Sequence, residues 1–385
     1  MTTLLDDYAA KLNILRQQGR LRRFSHALGN GKTILLNGKP LLNLASNDYL
    51  GVAGNAVLRE RFFAESVYAD SALGSVSSRL LIGNHAAADE LETAMAAQFG
   101  RSVLLFNSGY HANIGILPAA SDKHTLILAD KWVHASLIDG IRLSAARCVR
   151  YRHNDLQQLR QLLERHADDV GIKRIIIVTE SLFSMDGDEA DLLALVRLKQ
   201  QFPKVMLYVD EAHAFGVRGK NGLGCAEEQN VLADIDFLVG AFGKAAASAG
   251  GFVVCHALLR DYLINTARPL IFSTALPPLN WAWTLFVFEQ LIGFKQERTR
   301  LQHIAALLRQ AVQRRYGACA SASHIVPIIT GSDDSAADKA RTFQAAGFYV
   351  LPIRPPTVPE NTARVRLSLR ADLTDDDLAA LVTCV

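Results

Sequence analysis

Lys244 lies in Gly240-Ala241-Phe242-Gly243-Lys244-Ala245-Ala246, a lysine among small apolar residues just after a short apolar run. Partial desolvation in such a setting favours the neutral, nucleophilic amine. Upstream, the apolar run Val205-Met206-Leu207-Tyr208-Val209 ends in Asp210 and continues Glu211-Ala212-His213. An aspartate closing a parallel strand holds a fixed negative charge at the mouth of the sheet. A Schiff-base lysine and an anion facing a pyridinium nitrogen are the two groups that pyridoxal phosphate requires. Either residue alone reads equally well as a surface lysine in a Gly/Ala loop or a helix-capping aspartate. The pair, on neighbouring strands, points to the cofactor.

The elements that must position this pair follow from the periodicity. Short apolar runs at 103–106, 125–130, 147–151, 175–180, 205–210, 237–240 and 251–255 alternate with stretches spaced for amphipathic helices, such as Leu156, Leu159, Leu162 and Leu163. That rhythm predicts an α/β fold, a seven-stranded, mostly parallel sheet covered on both faces. The last two strands are separated only by 241–250, too few residues for a crossover helix, so that pair should be antiparallel with Lys244 on its connection. Asn37-Gly38 between two apolar runs marks a hairpin turn. The expected organisation is an N-terminal helix and hairpin segment (1–46), a large cofactor-binding domain (47–278) and a smaller α+β C-terminal domain (279–385). Ligands of such sheets gather at the carboxyl ends of the strands. After 103–106 comes Asn107-Ser108-Gly109-Tyr110-His111, where Gly109 permits close backbone approach and the next helix offers unpaired N–H groups. After 125–130 comes His134, placed to lie flat on an aromatic cofactor. After 175–180 comes Ser181-Leu182-Phe183-Ser184-Met185-Asp186-Gly187-Asp188.

Bulk properties exclude other classes. The 385 residues are 50% apolar and 21% charged with a formal charge of +3, which argues against disorder and against a nucleic-acid partner. Arg16, Arg20, Arg22 and Arg23 form a denser cluster, either a solvated helix face or a site for an anionic substrate tail. Five cysteines without metal spacing imply reduced thiols and no metal site. No basic leader and no apolar run of bilayer length are present, so the expectation is a cytoplasmic protein with no membrane partner.

The motifs together resemble the pyridoxal-phosphate-dependent α-oxoamine synthases of the aspartate aminotransferase fold superfamily, the transferases of fold type I. The matching segments are Ser46-Asn47-Asp48-Tyr49-Leu50-Gly51, His134-Ala135-Ser136, Thr179-Glu180 through Gly187, Asp210-Glu211-Ala212-His213, Phe242-Gly243-Lys244 and Phe272-Ser273-Thr274 with Pro277-Pro278. The resemblance covers almost the whole chain. It implies that Lys244 carries the cofactor and moves protons, that Asp210 pairs with the ring nitrogen, that His134 stacks on the ring and that His213 meets its phenolic oxygen or the substrate carboxylate. It further implies cofactor contacts from Gly109, Tyr110 and Ser184, and from Ser273 and Thr274 toward the neighbouring subunit of a homodimer with shared active sites. Arg354 matches the arginine that grips the amino-acid carboxylate; Asn47, Thr357 and an N-terminal arginine, Arg22 with the register open by one residue, match further substrate contacts.

Within the family, Ile353-Arg354-Pro355-Pro356-Thr357-Val358-Pro359 and Ala363-Arg364-Val365-Arg366 are most similar to the members that condense L-alanine with pimeloyl-CoA or a pimeloyl carrier protein in biotin synthesis. Three departures stand out. Ala241 replaces a hydroxyl residue that usually bonds the phosphate, leaving that bond missing or supplied by a group such as Ser248. The segment Gly74-Ser75-Val76-Ser77-Ser78-Arg79 is less glycine-dense than usual, and Ala88 and Leu373 stand where histidines are common. The rival readings are a sister synthase using glycine or serine with another acyl thioester, and a non-catalytic partner subunit. Simple nucleotide binding lacks its glycine fingerprint.

Overall fold

The computed structural model describes residues 4–24, 27–29, 31–68 and 70–385. Residues 1–3, the head of the segment read above as lacking a leader, lie outside them. The chain divides into two compact units, one of Met1–Ser46, Met185–Gly187 and Gln302–Val385, the other of Asn47–Ser184 and Asp188–Leu301.

In the first unit, β1 (Thr33–Leu36) and β2 (Lys39–Asn43) form an antiparallel hairpin around Asn37-Gly38. Both turn residues have positive φ, 51° and 76°, as a two-residue turn matched to strand twist requires. The hairpin is not a separate segment as the sequence suggested. Leu42 and Asn43 pair in parallel with a strand at Phe348–Tyr349, which ties residues 1–46 to the C-terminal residues. The second boundary falls after Leu301 rather than at 278, within the helix Lys295–Tyr316. The remaining strands, Ile325–Gly331, Pro352–Ile353 and Ala363–Ser368, form an antiparallel sheet. The last helix, Asp375–Cys384, starts at a capping box in which Thr374 Oγ1 accepts the Asp377 N–H at 3.2 Å and Asp377 returns the contact at 2.9 Å.

The second unit contains β3 (Ser102–Phe106), β4 (Thr125–Asp130), β5 (Arg147–Tyr151), β6 (Arg174–Glu180), β7 (Val205–Asp210), β8 (Phe237–Ala241) and β9 (Gly251–Cys255). They make one sheet in the order β3-β9-β8-β7-β6-β4-β5. All neighbours are parallel except β9, which runs antiparallel to both β3 and β8. The seven strands stand where the apolar runs placed them. The central strands are buried along almost their whole length, which is why they read as continuous apolar runs rather than alternating ones. The edge strand β5 is instead largely exposed and carries Arg147 and Arg150, charges that discourage pairing with another chain. Among the described residues, no helix is long and apolar enough to cross a membrane.

Asp130, Glu180 and Asp210 end β4, β6 and β7, so three carboxylates share one edge of the sheet. Gly251, at the start of β9, lets the helix Gly109–Ala120 begin close beside it. A Cβ at 251 would stand 2.4 Å from Gly109 N and 2.6 Å from Ser108 C, both backbone atoms that cannot rotate away. Gly251→Ala is expected to lower unfolding free energy by about 1–3 kcal/mol through overpacking, read by denaturant melts. An unchanged midpoint would show that the helix start is not held against β9.

Candidate active site

Asp210 is buried, and two donors hold its carboxylate. Asn113 Nδ2 donates to Oδ2 at 2.8 Å and the Ala212 N–H donates to Oδ1 at 2.9 Å. Asn113 is itself oriented: its carbonyl accepts the Tyr208 hydroxyl at 2.7 Å, and its amide also reaches Ser136 Oγ at 2.9 Å. A buried carboxylate survives as an anion only where such donors replace water. Lys244 follows β8, whose Val239 lies beside Asp210 in the sheet register. The turn carrying it is pinned by Ala247 N–H to Lys244 C=O at 2.9 Å, Ser248 N–H to Phe242 C=O at 3.0 Å and Trp283 Nε1–H to Ala247 C=O at 3.1 Å. Lys244 is half-buried, and its charge acts on both Glu180 and His134.

His134 caps the helix Ala135–Leu143. Its N–H donates to Glu180 Oε1 at 2.7 Å, while its Nδ1 accepts the Ser136 N–H at 3.2 Å and lies 2.7 Å from Ser136 Oγ. Because Nδ1 accepts, the ring proton belongs on Nε2. A continuous chain therefore runs from Asp210 through Asn113 and Ser136 to His134. Desolvation holds His134 below the ordinary imidazole value; Asp210 opposes this and Lys244 reinforces it. Burial raises the Glu180 carboxyl well above its usual range, with Asp210 adding to the shift. His213 Nδ1 lies 2.7 Å from the Tyr49 hydroxyl, which donates to Asn47 Oδ1 at 3.0 Å. Glu211 works beneath the site. It accepts the Ser181 hydroxyl and the N–H groups of Cys225 and Ala226, and burial pushes it up to about 7.

Gly109 and Tyr110 open the helix Gly109–Ala120, whose cap Ser108 accepts the His111 N–H at 3.0 Å. A Cβ on Gly109 would sit 3.1 Å from Ala241 Cβ, so the helix start faces the residue that replaces the usual hydroxyl. Ser248 is not a substitute donor: its hydroxyl bonds Thr284 Oγ1 at 2.6 Å, and the Thr284 hydrogen goes to Asn280 C=O at 2.7 Å, so the Ser248 hydrogen is committed to Thr284. Tyr110 places its ring edge-on to His134 at 6.5 Å and donates its hydroxyl to Asp139. Ser184 and Ser273 are half-buried and Thr274 is exposed, its carbonyl accepting Asn107 Nδ2 at 2.7 Å.

Arg22, Arg354 and Thr357 belong to the first unit. Arg22 Nη2 donates to Thr357 Oγ1 at 3.1 Å, and Arg354 donates to the Gly19 carbonyl. Arg20 is occupied by Asp333 at 2.7 Å and Glu360 at 2.7 Å, so Arg22 is the arginine of this segment set against Thr357.

Asn113 and His153 carry no signal in the sequence, and Tyr49 and Glu180, though inside the matching segments, had no role assigned from it. The first is visible only once its helix is laid across β7; it sits one turn after Gly109, a position without a motif. His153 lies between two carboxylates, with Nδ1 2.9 Å from Asp130 Oδ1 and Nε2 2.6 Å from Asp188 Oδ2. Burial opposes its charge, but the two carboxylates win and raise it to about 9.

A lysine on the turn after β8, an anchored aspartate at the neighbouring strand end and a histidine beside them define a pyridoxal-phosphate-dependent transferase of fold type I. The chain belongs to the aminotransferase class I and II family, whose model matches residues 39–385. It is 53% identical over 99% of its length to a Haemophilus influenzae protein provisionally named 8-amino-7-oxononanoate synthase, all of which is covered. A Neisseria meningitidis protein of the same provisional name is 51% identical over 98% of this chain and 99% of its own. Among solved structures, serine palmitoyltransferase from S. paucimobilis, determined with a pyridoxal phosphate adduct, gives a TM-score of 0.89 at 27% identity, covering 100% of this chain and 97% of that one. An 8-amino-7-oxononanoate synthase from Francisella tularensis gives 0.74 at 28% identity, covering 89% and 96%.

The His153 arrangement makes a pH-dependent prediction. Its folded value lies above the unfolded one near 6.5, so its stabilisation is complete below about 6.5 and is lost as pH rises through about 9. The stability difference between wild type and His153→Gln is expected to be on the order of 3 kcal/mol in mild acid and to shrink across that window. A difference that grows with pH would contradict the double ion pair.

Proposed function

We propose that this chain condenses L-alanine with a pimeloyl thioester, on CoA or on a carrier protein, releasing carbon dioxide, free thiol and 8-amino-7-oxononanoate. The observation that carries this reading is the near-full-length identity to proteins of that provisional name, combined with Lys244 and Asp210 on adjacent strands. The donor set suits pyridoxal 5′-phosphate: a half-buried amine, a buried carboxylate held by two donors, and a helix start at Gly109 with no side chain in the way. When bound, that cofactor supplies a protonated ring that withdraws electrons from the α-carbon of the amino acid.

The chain's own residues do the rest. Lys244 Nζ binds the cofactor aldehyde and, once released, takes and returns the α-proton. Asp210 keeps the ring nitrogen protonated by charge alone. His134, held by Ser136, would stack on the ring, while His213, held by Tyr49, would meet the phenolic oxygen or the substrate carboxylate. The N–H groups at Gly109 and Tyr110 face the phosphate with the helix N-terminus behind them, and Ser184 adds a hydroxyl. With no hydroxyl at Ala241 and the Ser248 hydroxyl engaged by Thr284, those backbone groups, together with Ser273 and Thr274 of a second subunit, would hold the phosphate. By the family resemblance alone, Arg354 is assigned to the amino-acid carboxylate, which it would grip as a planar fork, and Asn47, Arg22 and Thr357 to further substrate contacts.

A homodimer fits the surface. Leu73, Val76, Leu81, Ile82 and Phe272 are each at least 70% exposed. The segments that carry them adjoin, the Ala275 N–H bonding Ser77 C=O at 2.9 Å and Ser75 Oγ bonding Leu276 C=O at 2.6 Å. An apolar patch of this kind, next to Ser273 and Thr274, suits a second copy. We place the reaction in the cytoplasm, where the five unpaired cysteines would stay reduced.

The likeness to serine palmitoyltransferase keeps the sister reaction with serine as the competing reading. Thiol release from pimeloyl, acetyl, succinyl and palmitoyl thioesters with alanine, glycine or serine separates them. Alanine with the pimeloyl thioester is expected to give the highest kcat/KM; preference for serine with palmitoyl-CoA would overturn the substrate assignment. Borohydride reduction followed by peptide mass spectrometry should place the cofactor on Lys244, and Lys244→Ala should lose both the tag and turnover. A tag at another lysine would remove the assignment.

A further inference from the structure

We infer that His153, gripped through both ring nitrogens by Asp130 and Asp188, is a positioning residue that fixes His134 by tying the loop after β4 to the loop after β6. The inference rests on the cofactor reading above and adds to it a residue that touches neither cofactor nor substrate. Asp130 ends β4, and its carboxylate accepts the Trp132 N–H at 2.8 Å and the Asn154 N–H at 2.8 Å as well as the His153 contact at 2.9 Å. Trp132, two residues before His134, stacks on the His153 ring at 4.0 Å with planes 21° apart. On the other side, Asp188 meets His153 Nε2 at 2.6 Å, and its carbonyl accepts the Phe183 N–H at 2.9 Å. The Phe183 ring stands edge-on to His153 at 4.4 Å and 89°.

Asn154 repeats the bridge. Held in the left-handed region at φ 52°, it donates its amide to Asp188 Oδ2 at 2.9 Å and to Glu189 C=O at 3.1 Å. Residues 153–154, on the loop after β5, thus span from the segment 130–134 to the segment 181–189. Glu180 supplies the second anchor, accepting the His134 N–H at 2.7 Å. With Trp132 wedged against His153 and the His134 backbone tied to Glu180, the residues between have little room to rotate.

One histidine and two carboxylates also suggest a metal site, but here both ring nitrogens already face carboxylates on opposite sides, leaving no lone pair for a cation. The arrangement is a clamp. Asp130 is fully buried and Asp188 largely so; without the histidine they keep the Trp132 and Asn154 donors but lose the one cation that lies between them.

The test is a double-mutant cycle on cofactor affinity. Apoprotein is titrated with pyridoxal 5′-phosphate and the absorbance band followed for wild type, His153→Gln, His134→Ala and the double variant. His153→Gln is expected to weaken binding about fivefold to tenfold when His134 is present, and less than about twofold when residue 134 is alanine. In the apoprotein, the same substitution should raise tryptophan emission as Trp132 loses its stacked imidazole. Asp188→Asn, which keeps the shape and one hydrogen bond, serves should the glutamine variant misfold; it should weaken binding in the same direction, again only with His134 present. Equal weakening in both backgrounds, or none with His134 present, would overturn the inference. A wild type that binds no pyridoxal phosphate at all would sink the cofactor reading, and this inference with it.

Discussion

A carboxylate buried at the end of a central strand, with protein donors in place of water, is the constraint around which the second unit is built. Asp210 sits at the end of a central strand, where water is scarce and an unsupported anion would take up a proton. Its support comes from a backbone N–H two residues on and from Asn113, whose side chain is clamped by Tyr208 and Ser136. The strand, the crossing helix Gly109–Ala120 and the start of Ala135–Leu143 must therefore be in register for the carboxylate to find its donors. The same hydrogen-bond chain reaches His134, so one network sets both the anion and the ring beside it. Glu180 and Asp210 lie side by side in the sheet; burial drives Glu180 toward its neutral form, while the Asp210 carboxylate accepts two hydrogen bonds.

The strand order makes this compact. Because β9 returns antiparallel immediately after β8, the connection carrying Lys244 is a tight turn at the carboxyl edge instead of a crossover helix. A turn pinned by three hydrogen bonds carries the lysine more rigidly than a long loop would. Gly109, Gly251 and Ala241 meet at one point, and each is small because the helix start, the returning strand and the strand before Lys244 converge there. Ser248, further along the same connection, spends its hydroxyl hydrogen on Thr284.

Much of this was legible in the amino-acid order. The buried strands announce themselves as unbroken apolar runs, and Lys244, Asp210, His134 and Gly109 fall on their carboxyl ends because that is where parallel sheets place residues after a run. The Asn37-Gly38 turn and the Thr374–Asp377 cap were equally plain, since each depends on contacts within a few residues. Long-range pairings were not. Nothing in the apolar run near 349–353 shows that its two halves join different sheets, and it is this split that draws residues 1–46 to the C-terminal strands. Asn113 and His153 were missed, and Tyr49 was left without a role, for the same reason: their partners are distant in sequence, and a lone polar residue within a helix or loop carries no spacing signal.

Asp210, held by Asn113, is proposed to keep a facing pyridine nitrogen protonated. Nitrogen-15 NMR of ring-labelled pyridoxal phosphate bound to the protein at neutral pH reads that proton directly. The account predicts a pyridinium shift in wild type and a neutral-pyridine shift in Asp210→Asn. A neutral ring in wild type, or a shift indifferent to residue 210, would contradict it.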